Sequence, residues 1–427
     1  MVKQILTHKT TLLLLLSLLL MLPMQWILDL NQERQAYRRQ AIEKIMGSAS
    51  GPQRLIGPIL VQPFVREVML NDGKEWKRHQ ERLLRYRLPQ RLDAQIGMEV
   101  TPRHLGIYQA QVYQAVITLS GTLGTQSDWQ VPDDAVAETP YLSLALSDAR
   151  GISQIPAVTL AGKSREVVPG ARLGQLAGVH VPLTVGEGGN FEVKLALQGM
   201  ESIALVPIGR DSSLTLAGNW PHPSFLGDFL PTSREVNSAG FTARWQTSWF
   251  ATDMESRLPS LIEGQSETLP AFTTSLVQPV DHYQQNERSA KYALLFIGLT
   301  FLAVVMGELL RGLRIHPIQY ALVGMSLVIF YLVLLALTEQ IGFTPAYLLA
   351  SLACVLLNGA YLSQSLGGAR AGLAFAGLQA LLYGVLYGLL QAEDLALLLG
   401  ALLLLLILAL VMMLTRKFDW YALSREP

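Results

Sequence analysis

The C-terminal stretch from Tyr292 to Leu414 consists of five hydrophobic runs with scarcely a loop between them: Tyr292–Leu310, Ile318–Thr338, Ala346–Leu366, Ala371–Leu390 and Leu395–Leu414. Each holds about 20 residues, the length at which an α-helix crosses a hydrocarbon core of roughly 30 Å. Apolar runs of about 10–14 residues suit buried helices of soluble proteins, whereas five full-length runs in series call for a bilayer. The expectation is an integral membrane protein, with residues 291–414 a five-helix transmembrane bundle and residues 415–427 a cytoplasmic tail.

The short connections orient this block. Arg311 and Arg314 lie between its first and second runs, Arg370 between the third and fourth, and Arg416, Lys417 and Arg425 after the last. The alternate connections, Glu339 to Thr344 and Gln391 to Asp394, carry no Lys or Arg. Basic residues are retained on the cytoplasmic side, and short loops are where that bias is informative. The C-terminus is therefore expected in the cytoplasm, and the chain just before Tyr292 outside.

At the other end, residues 1–9 form a short leader with Lys3, His8 and Lys9, and residues 10–30 an apolar run. The run continues past Pro23 through Met24, Trp26, Ile27 and Leu28, with no small-x-small cleavage pattern, so it reads as an uncleaved anchor and not a signal peptide. Arg34, Arg38, Arg39 and Lys44 just beyond it would favour the opposite orientation, but long domains translocate largely regardless of charge. Six transmembrane helices, one N-terminal and five C-terminal, with both termini cytoplasmic, are the expected architecture. Residues 31–54 read as a helical stalk and linker, broken at Gly47 to Pro52 because Gly and Pro are poor in a helix interior.

From Leu55 to about Leu276 the hydrophobic period changes from helical to two. Ile107 to Tyr113, Ala115 to Gly121, Tyr141 to Leu146, Phe191 to Leu197, Ile203 to Pro207 and Phe241 to Trp249 all alternate, with β-branched and aromatic residues between Gly, Pro and Asn breaks. Residues 55–290 are therefore expected to form a large all-β periplasmic domain of antiparallel strands, sandwich-like, as one large or two stacked sandwiches. The single cysteine, Cys354, falls in a membrane run, so the outer domain rests on its apolar core and not on disulfides. Residues 29–289 hold slightly more acids than bases, which argues against a nucleic-acid partner. Lys74 to Arg91 is locally basic and suits a solvated strand or hairpin face, with anionic lipid as the alternative.

No catalytic constellation, cofactor or metal site is expected. Ala157 to Ser164 resembles a phosphate-binding loop only in its Gly162-Lys163-Ser164 end, and lacks the first glycine and the helix such a loop needs. His79, His104, His180, His222 and His282 are scattered singly. The densest unusual stretch is Trp220-Pro-His-Pro-Ser-Phe225, where two prolines restrict the backbone around His222. Trp220, His222 and Phe225 are the candidate binding residues, against the plainer reading of a fixed corner whose aromatics plug the end of a sandwich. In the membrane runs Glu308 is the one clear ionisable residue, and Asn358 and Gln379 suit hydrogen bonds between helices. Gly372, Ala376, Ala380, Gly384 and Gly388 recur every four residues as a candidate helix-packing face.

Several strings together resemble the CreD family of inner-membrane proteins, also called cell envelope integrity proteins. They are Ser50 to Gln53 with Gly57-Pro58, Gly106-Ile-Tyr108, Trp220 to Phe225 and Gly240-Phe241. Glu287-Arg288 with Lys291-Tyr292, Leu313 to Pro317 with Gln319-Tyr320, Glu339, Cys354, Leu381 to Gly388 and Asp419-Trp-Tyr421 continue the match. The resemblance implies a Gram-negative inner-membrane protein made under a two-component system that answers envelope or nutrient stress, with a link to envelope integrity. It brings no catalytic residue with it. The function expected is that of a non-enzymatic envelope-stress protein whose periplasmic domain binds an unidentified envelope component or membrane protein; a transporter or channel formed by the C-terminal bundle is the alternative. Its expected partners are the lipid bilayer, that component, and a second copy in a homo-oligomer.

Overall fold

A computed structural model describes residues 2–71, 76–124, 134–264, 268–276, 282–311, 315–392 and 396–416. Lys74, Arg314, Glu393, Asp394, Leu395, Lys417, Asp419 to Tyr421 and Arg425 lie outside the described residues. The chain divides into a helical unit (Met1–Arg39 with Val280–Pro427) and a β unit (Gln40–Pro279).

Helix α1 (Val2–Ala49) is continuous for 48 residues and contains Pro23. Within the helical unit it buries Leu13, Leu20, Met24, Ile27 and Asn31, a spacing that keeps to one helical face. Leu20 seats against Gly324, where an added Cβ would come 2.3 Å from the Leu20 Cδ1. Farther along, in the β unit, Ile42, Ile45, Met46 and Ala49 form a second apolar stripe and pack on Ala110, Val112 and Met200. The helix ends at Ala49, where Ser50 takes a positive φ of 114° ahead of Gly51 and Pro52.

The strands follow in chain order. They are β1 (Gln53–Asn71), β2 (Trp76–Arg87), β3 (Arg91–Leu105), β4 (Tyr108–Leu123), β5 (Ala135–Ala137) and β6 (Tyr141–Leu146). Next come β7 (Ala157–Leu160), β8 (Lys163–Arg165), β9 (Val168–Pro169), β10 (Ala177–Pro182), β11 (Gly189–Met200) and β12 (Ser202–Leu205). The last are β13 (Asp211–Gly218), β14 (Pro223–Gly227), β15 (Ser233–Asn237), β16 (Gly240–Ser248) and β17 (Phe272–Leu276). One nine-stranded sheet runs β14-β17-β12-β1-β6-β10-β9, with β2 and β5 also paired to β1; an eight-stranded sheet runs β15-β16-β13-β3-β4-β11-β7-β8. Most neighbours are antiparallel, but β1 pairs β12 in parallel and β3 pairs β13 in parallel, so both sheets are mixed where alternation alone suggested antiparallel strands. Hydrophobic period reports which face a strand buries and carries no information on the direction of its neighbour.

Both sheets contribute to one hydrophobic core. The eight-stranded sheet sends in Leu92, Ile96, Ile117, Leu195 and Trp245, and the nine-stranded sheet Leu55, Ile59, Leu144, Ile203 and Phe272. Every residue of β6 is buried, because this strand is covered on both faces. The basic stretch expected as a hairpin face is β2, paired with β1 from Leu60↔Arg87 to Asn71↔Trp76.

Two features correct the expected all-β domain of residues 55–290. Short helices α2 (Trp249–Thr252) and α3 (Met254–Ile262) interrupt it, with Met254, Leu258 and Ile262 of α3 buried at four-residue spacing. Strand structure also ends at Leu276, and α4 (His282–Lys291) belongs to the helical unit. Its many polar residues hid the helix, although Tyr283, Asn286, Ser289 and Ala290 recur on one buried face.

The remaining helices are α5 (Ala293–Arg311), α6 (Pro317–Ile341), α7 (Phe343–Ser365), α8 (Ala369–Gln391) and α9 (Ala396–Thr415). Helices α4 and α5 bend by 47° at Tyr292, so the run expected to start there is the second part of a broken helix. Helix α6 opens with a capping box: His316 Nδ1 accepts from the Ile318 N–H at 3.3 Å, and Gln319 Oε1 from the His316 N–H at 3.2 Å. Pro317 follows at the first helical position, where its missing N–H costs nothing. By length and composition α1, α6, α7 and α8 can each cross a membrane, the bent α4–α5 pair makes a fifth, and α9 carries the shorter apolar stretch Leu398–Met413.

Trp245, 2% exposed, stacks on Phe272 of the other sheet at a centroid distance of 6.0 Å. Trp245→Ala should cost about 3–5 kcal/mol by leaving a cavity between the sheets. The check is the thermal midpoint of the β-sheet circular dichroism signal of the intact chain, which should fall clearly below that of the wild type.

Candidate functional site

The Trp220 to Phe225 stretch forms the entry to edge strand β14. Phe225 meets Phe241 and Trp245 edge-on at 5.9 and 5.6 Å, so an aromatic ring from one sheet closes against two from the other. The Trp245 indole N–H donates to the Phe229 carbonyl at 3.1 Å, and the Phe229 ring meets Phe272 at 5.7 Å. Trp220 packs against the same core and donates its indole N–H to the His222 carbonyl at 3.0 Å. The His222 ring is exposed and edge-on to Trp220. The three candidate residues are thus together, but Trp220 and Phe225 are half-buried against the core and His222 is the exposed one. Beneath the corner the Ala271 N–H donates to Asp228 at 3.0 Å, and the Arg54 guanidinium donates to the Leu269 carbonyl. Burial lowers the pKa of Arg54, partly offset by the Asp228 carboxylate.

The other histidines have plain surroundings where they are described. His180 is buried, with Nδ1 2.6 Å from the Gly170 carbonyl and its ring edge-on to Tyr141. Among the described residues no three His, Cys, Asp or Glu side chains group as metal ligands. Gly162 sits in the turn between β7 and β8, with Ala161 and Gly162 both at positive φ, a hairpin geometry with strand on either side.

Sequence reasoning missed how the end of α1 is held within the β unit. Ser50 Oγ donates to the Gln198 carbonyl at 3.2 Å, Gln53 Nε2 to the Asp148 carbonyl at 3.0 Å, and the Met200 N–H to the Gly51 carbonyl at 3.1 Å. Arg150 chelates Asp148 and reaches the Gly47 carbonyl at the end of α1 at 3.1 Å. Hydrogen bonds from Arg150 hold the Asp148 carboxyl below the usual range. A Cβ on Gly151 would lie 2.4 Å from the Gln198 carbonyl, so only glycine fits there. The Ser50-Gly-Pro-Gln53 string was visible in the sequence, but its partners lie 95 to 148 residues away for Gln53 and Ser50, and no local pattern points to them.

In the helical unit, Glu308 accepts from the Tyr320 hydroxyl at 2.7 Å and the Ile315 N–H at 3.2 Å, which ties the start of α6 to α5. Glu339 accepts from the Tyr283 hydroxyl at 3.1 Å and lies 3.8 Å from Arg34. The small-residue face of α8 splits. A Cβ on Gly372 would lie 2.6 Å from the Gly359 carbonyl, and one on Gly359 would lie 2.8 Å from the Ala376 Cβ, so this end holds α7 and α8 close. Ala380, Gly384 and Gly388 are exposed, and nothing stands within 4 Å of a Cβ placed on either glycine. Four-residue steps overshoot a helical turn by about 40° each, so five such positions wind off one face.

Phe225→Ala should lower the thermal midpoint of the β unit by the equivalent of about 2–4 kcal/mol, whereas His222→Ala should stay within about 0.5 kcal/mol of wild type. Thermal melts of the two variants in the same detergent compare them. A large loss for His222→Ala would show that the histidine holds structure its exposure does not suggest.

The family model described as inner membrane protein CreD matches residues 5–421. The inner membrane protein CreD of Escherichia coli strain K12 is 40% identical over 431 residues, covering 99% of this chain and 96% of that protein. Two solved M1 zinc metallopeptidase structures from Deinococcus radiodurans overlap at TM-scores of 0.22 and 0.20 with 10% identity. They cover 48% and 44% of this chain and 53% and 41% of theirs, and similarity this low carries no argument about fold or chemistry. The near-complete match to the family model and to the Escherichia coli protein places the chain in the CreD family of inner membrane proteins.

Proposed function

We propose that the protein crosses the inner membrane six times with both termini in the cytoplasm and holds its β unit, a single sandwich, in the periplasm. There it helps maintain the cell envelope under stress, without catalysis, by binding an envelope component or a membrane partner. The six spans are α1, the α4–α5 pair, α6, α7, α8 and α9. The orientation is supported by Arg311, Arg370 and Arg416 standing at alternate helix ends, with Glu339 at an opposite one. A single sandwich is supported by the two sheets sharing one core. Residues about 31–290 would then lie outside, apart from the helical ends that dip into the bilayer.

The observation that carries this reading is the core of the β unit: both sheets bury their apolar faces in it, so residues 40–279 form a folded body with its own interior beside the apolar helices. Within that unit the last turns of α1 pack on β4 and β11, and Ser50 and Gln53 are hydrogen-bonded to β11 and to the Asp148 turn.

The test is complementation in a strain that lacks its own copy and is sensitive to envelope-active agents. The full chain should restore tolerance, and a chain without residues 53–276 should not, at equal membrane abundance. Full tolerance from the helices alone would remove the β unit from the function.

A further inference from the structure

Three helices of the helical unit bring buried polar side chains to one small cavity. Asn31 of α1, Asn286 of α4 and Tyr331 of α6 line it, with Ile27, Ala290 and Leu334 in its apolar wall. The three polar residues are 2%, 6% and 3% exposed. Asn31 Nδ2 donates to the Tyr283 carbonyl at 3.2 Å, and Asn286 Oδ1 accepts from the Thr338 hydroxyl at 3.4 Å, so one end of each amide is committed. The other ends, Asn31 Oδ1 and Asn286 Nδ2, have no partner in the chain, and neither has the Tyr331 hydroxyl. Buried polar groups are almost always hydrogen-bonded, and three exceptions around one cavity point to a shared partner.

We propose that this cavity is the binding site of a single water molecule that links α1, α4 and α6. Size, polarity and charge select that occupant. The cavity is about 10 Å³, roughly the least that holds one water and far too small for an organic ligand. Asn31 Oδ1 can only accept and Asn286 Nδ2 can only donate. A bare cation would suit the first and be repelled by the second, and an anion would meet the reverse. A water donates to Asn31 and accepts from Asn286, and its remaining capacity matches the Tyr331 hydroxyl, which can do either. About three hydrogen bonds is the usual complement of a buried water. No Asp, Glu, Lys, Arg or His is among the lining residues, so no charge there calls for a counter-ion.

Direct hydrogen bonds already join Asn31 to α4 and Asn286 to α6. The water adds a link that reaches all three helices at once. It also lets the polar helix α4 be buried among apolar neighbours with its amide satisfied, since a bridging water is nearly as good as a direct bond.

Hydroxyl-radical labelling by X-ray pulses tests the site on the intact chain in lipid nanodiscs, because radicals form on bound water and oxidise the side chains beside it. Leu334 and Leu335, which line the cavity, should be oxidised although they are buried. Leu327, also buried on α6 but not lining the cavity, should not be. Asn286→Leu removes the donor and fills the space, so labelling of Leu334 and Leu335 should drop to the Leu327 level. The wild-type comparison decides the matter even where that variant fails to fold. Leu334 and Leu335 labelled no more than Leu327, or labelling that Asn286→Leu leaves unchanged, would overturn the proposal. So would a wild-type thermal midpoint that rises when sodium chloride replaces choline chloride while that of Asn286→Leu does not, since that would put a sodium ion in the cavity.

Discussion

A backbone N–H or C=O without a partner costs several kcal/mol in hydrocarbon, and an α-helix satisfies both within one segment. This constraint divides the molecule. The apolar ends of the chain are helical, and the strands lie between residues 53 and 276, in a unit with its own core. Helix α1 belongs to both parts. It buries one stripe among membrane helices and a second stripe on β4 and β11.

The division was legible because hydrophobic period survives tertiary structure. Phe191 to Leu197 alternates and lies in β11, which buries every second side chain; Phe241 to Trp249 alternates and becomes β16 with α2 begun at its last residue. What stayed hidden depended on partners distant in the chain or on weak local signals. Helix α4 is too polar to stand out beside the runs that follow it. The parallel pairing of β1 with β12 joins residues about 150 positions apart, and nothing in either strand encodes its neighbour's direction. Glu308 looked ionisable and suspect by position, but its role is a hydrogen bond to the Tyr320 hydroxyl that secures the α5–α6 connection. The Trp220 to Phe225 stretch was conspicuous for a sound reason, since its prolines shape a corner, yet composition could not separate a core wedge from a recognition loop.

Polar groups in the helical unit fall into two kinds. Those near helix ends, such as Glu339 with Tyr283 and Glu308 with Tyr320, are paired across helices and hold the bundle together. Those around Cys354 are at mid-length, where Asn358 and Gln379 donate to its sulfur and the sulfur lies against the Ser326 carbonyl, so α6, α7 and α8 are linked there by hydrogen bonds as well as by apolar packing. Family membership accounts for where the protein resides.

The account depends on the β unit standing outside the cytoplasmic membrane while the connection before α8 stands inside. Cys354 is buried, so in a Cys354→Ala background single cysteines report their side alone. Ser164→Cys on the exposed strand β8 and Arg370→Cys at the start of α8 would be treated with a membrane-impermeant maleimide in spheroplasts. Labelling of the first without lysis, and of the second only after lysis, is the predicted result. Labelling in the reverse order would contradict the orientation and, with it, any periplasmic role for the strands.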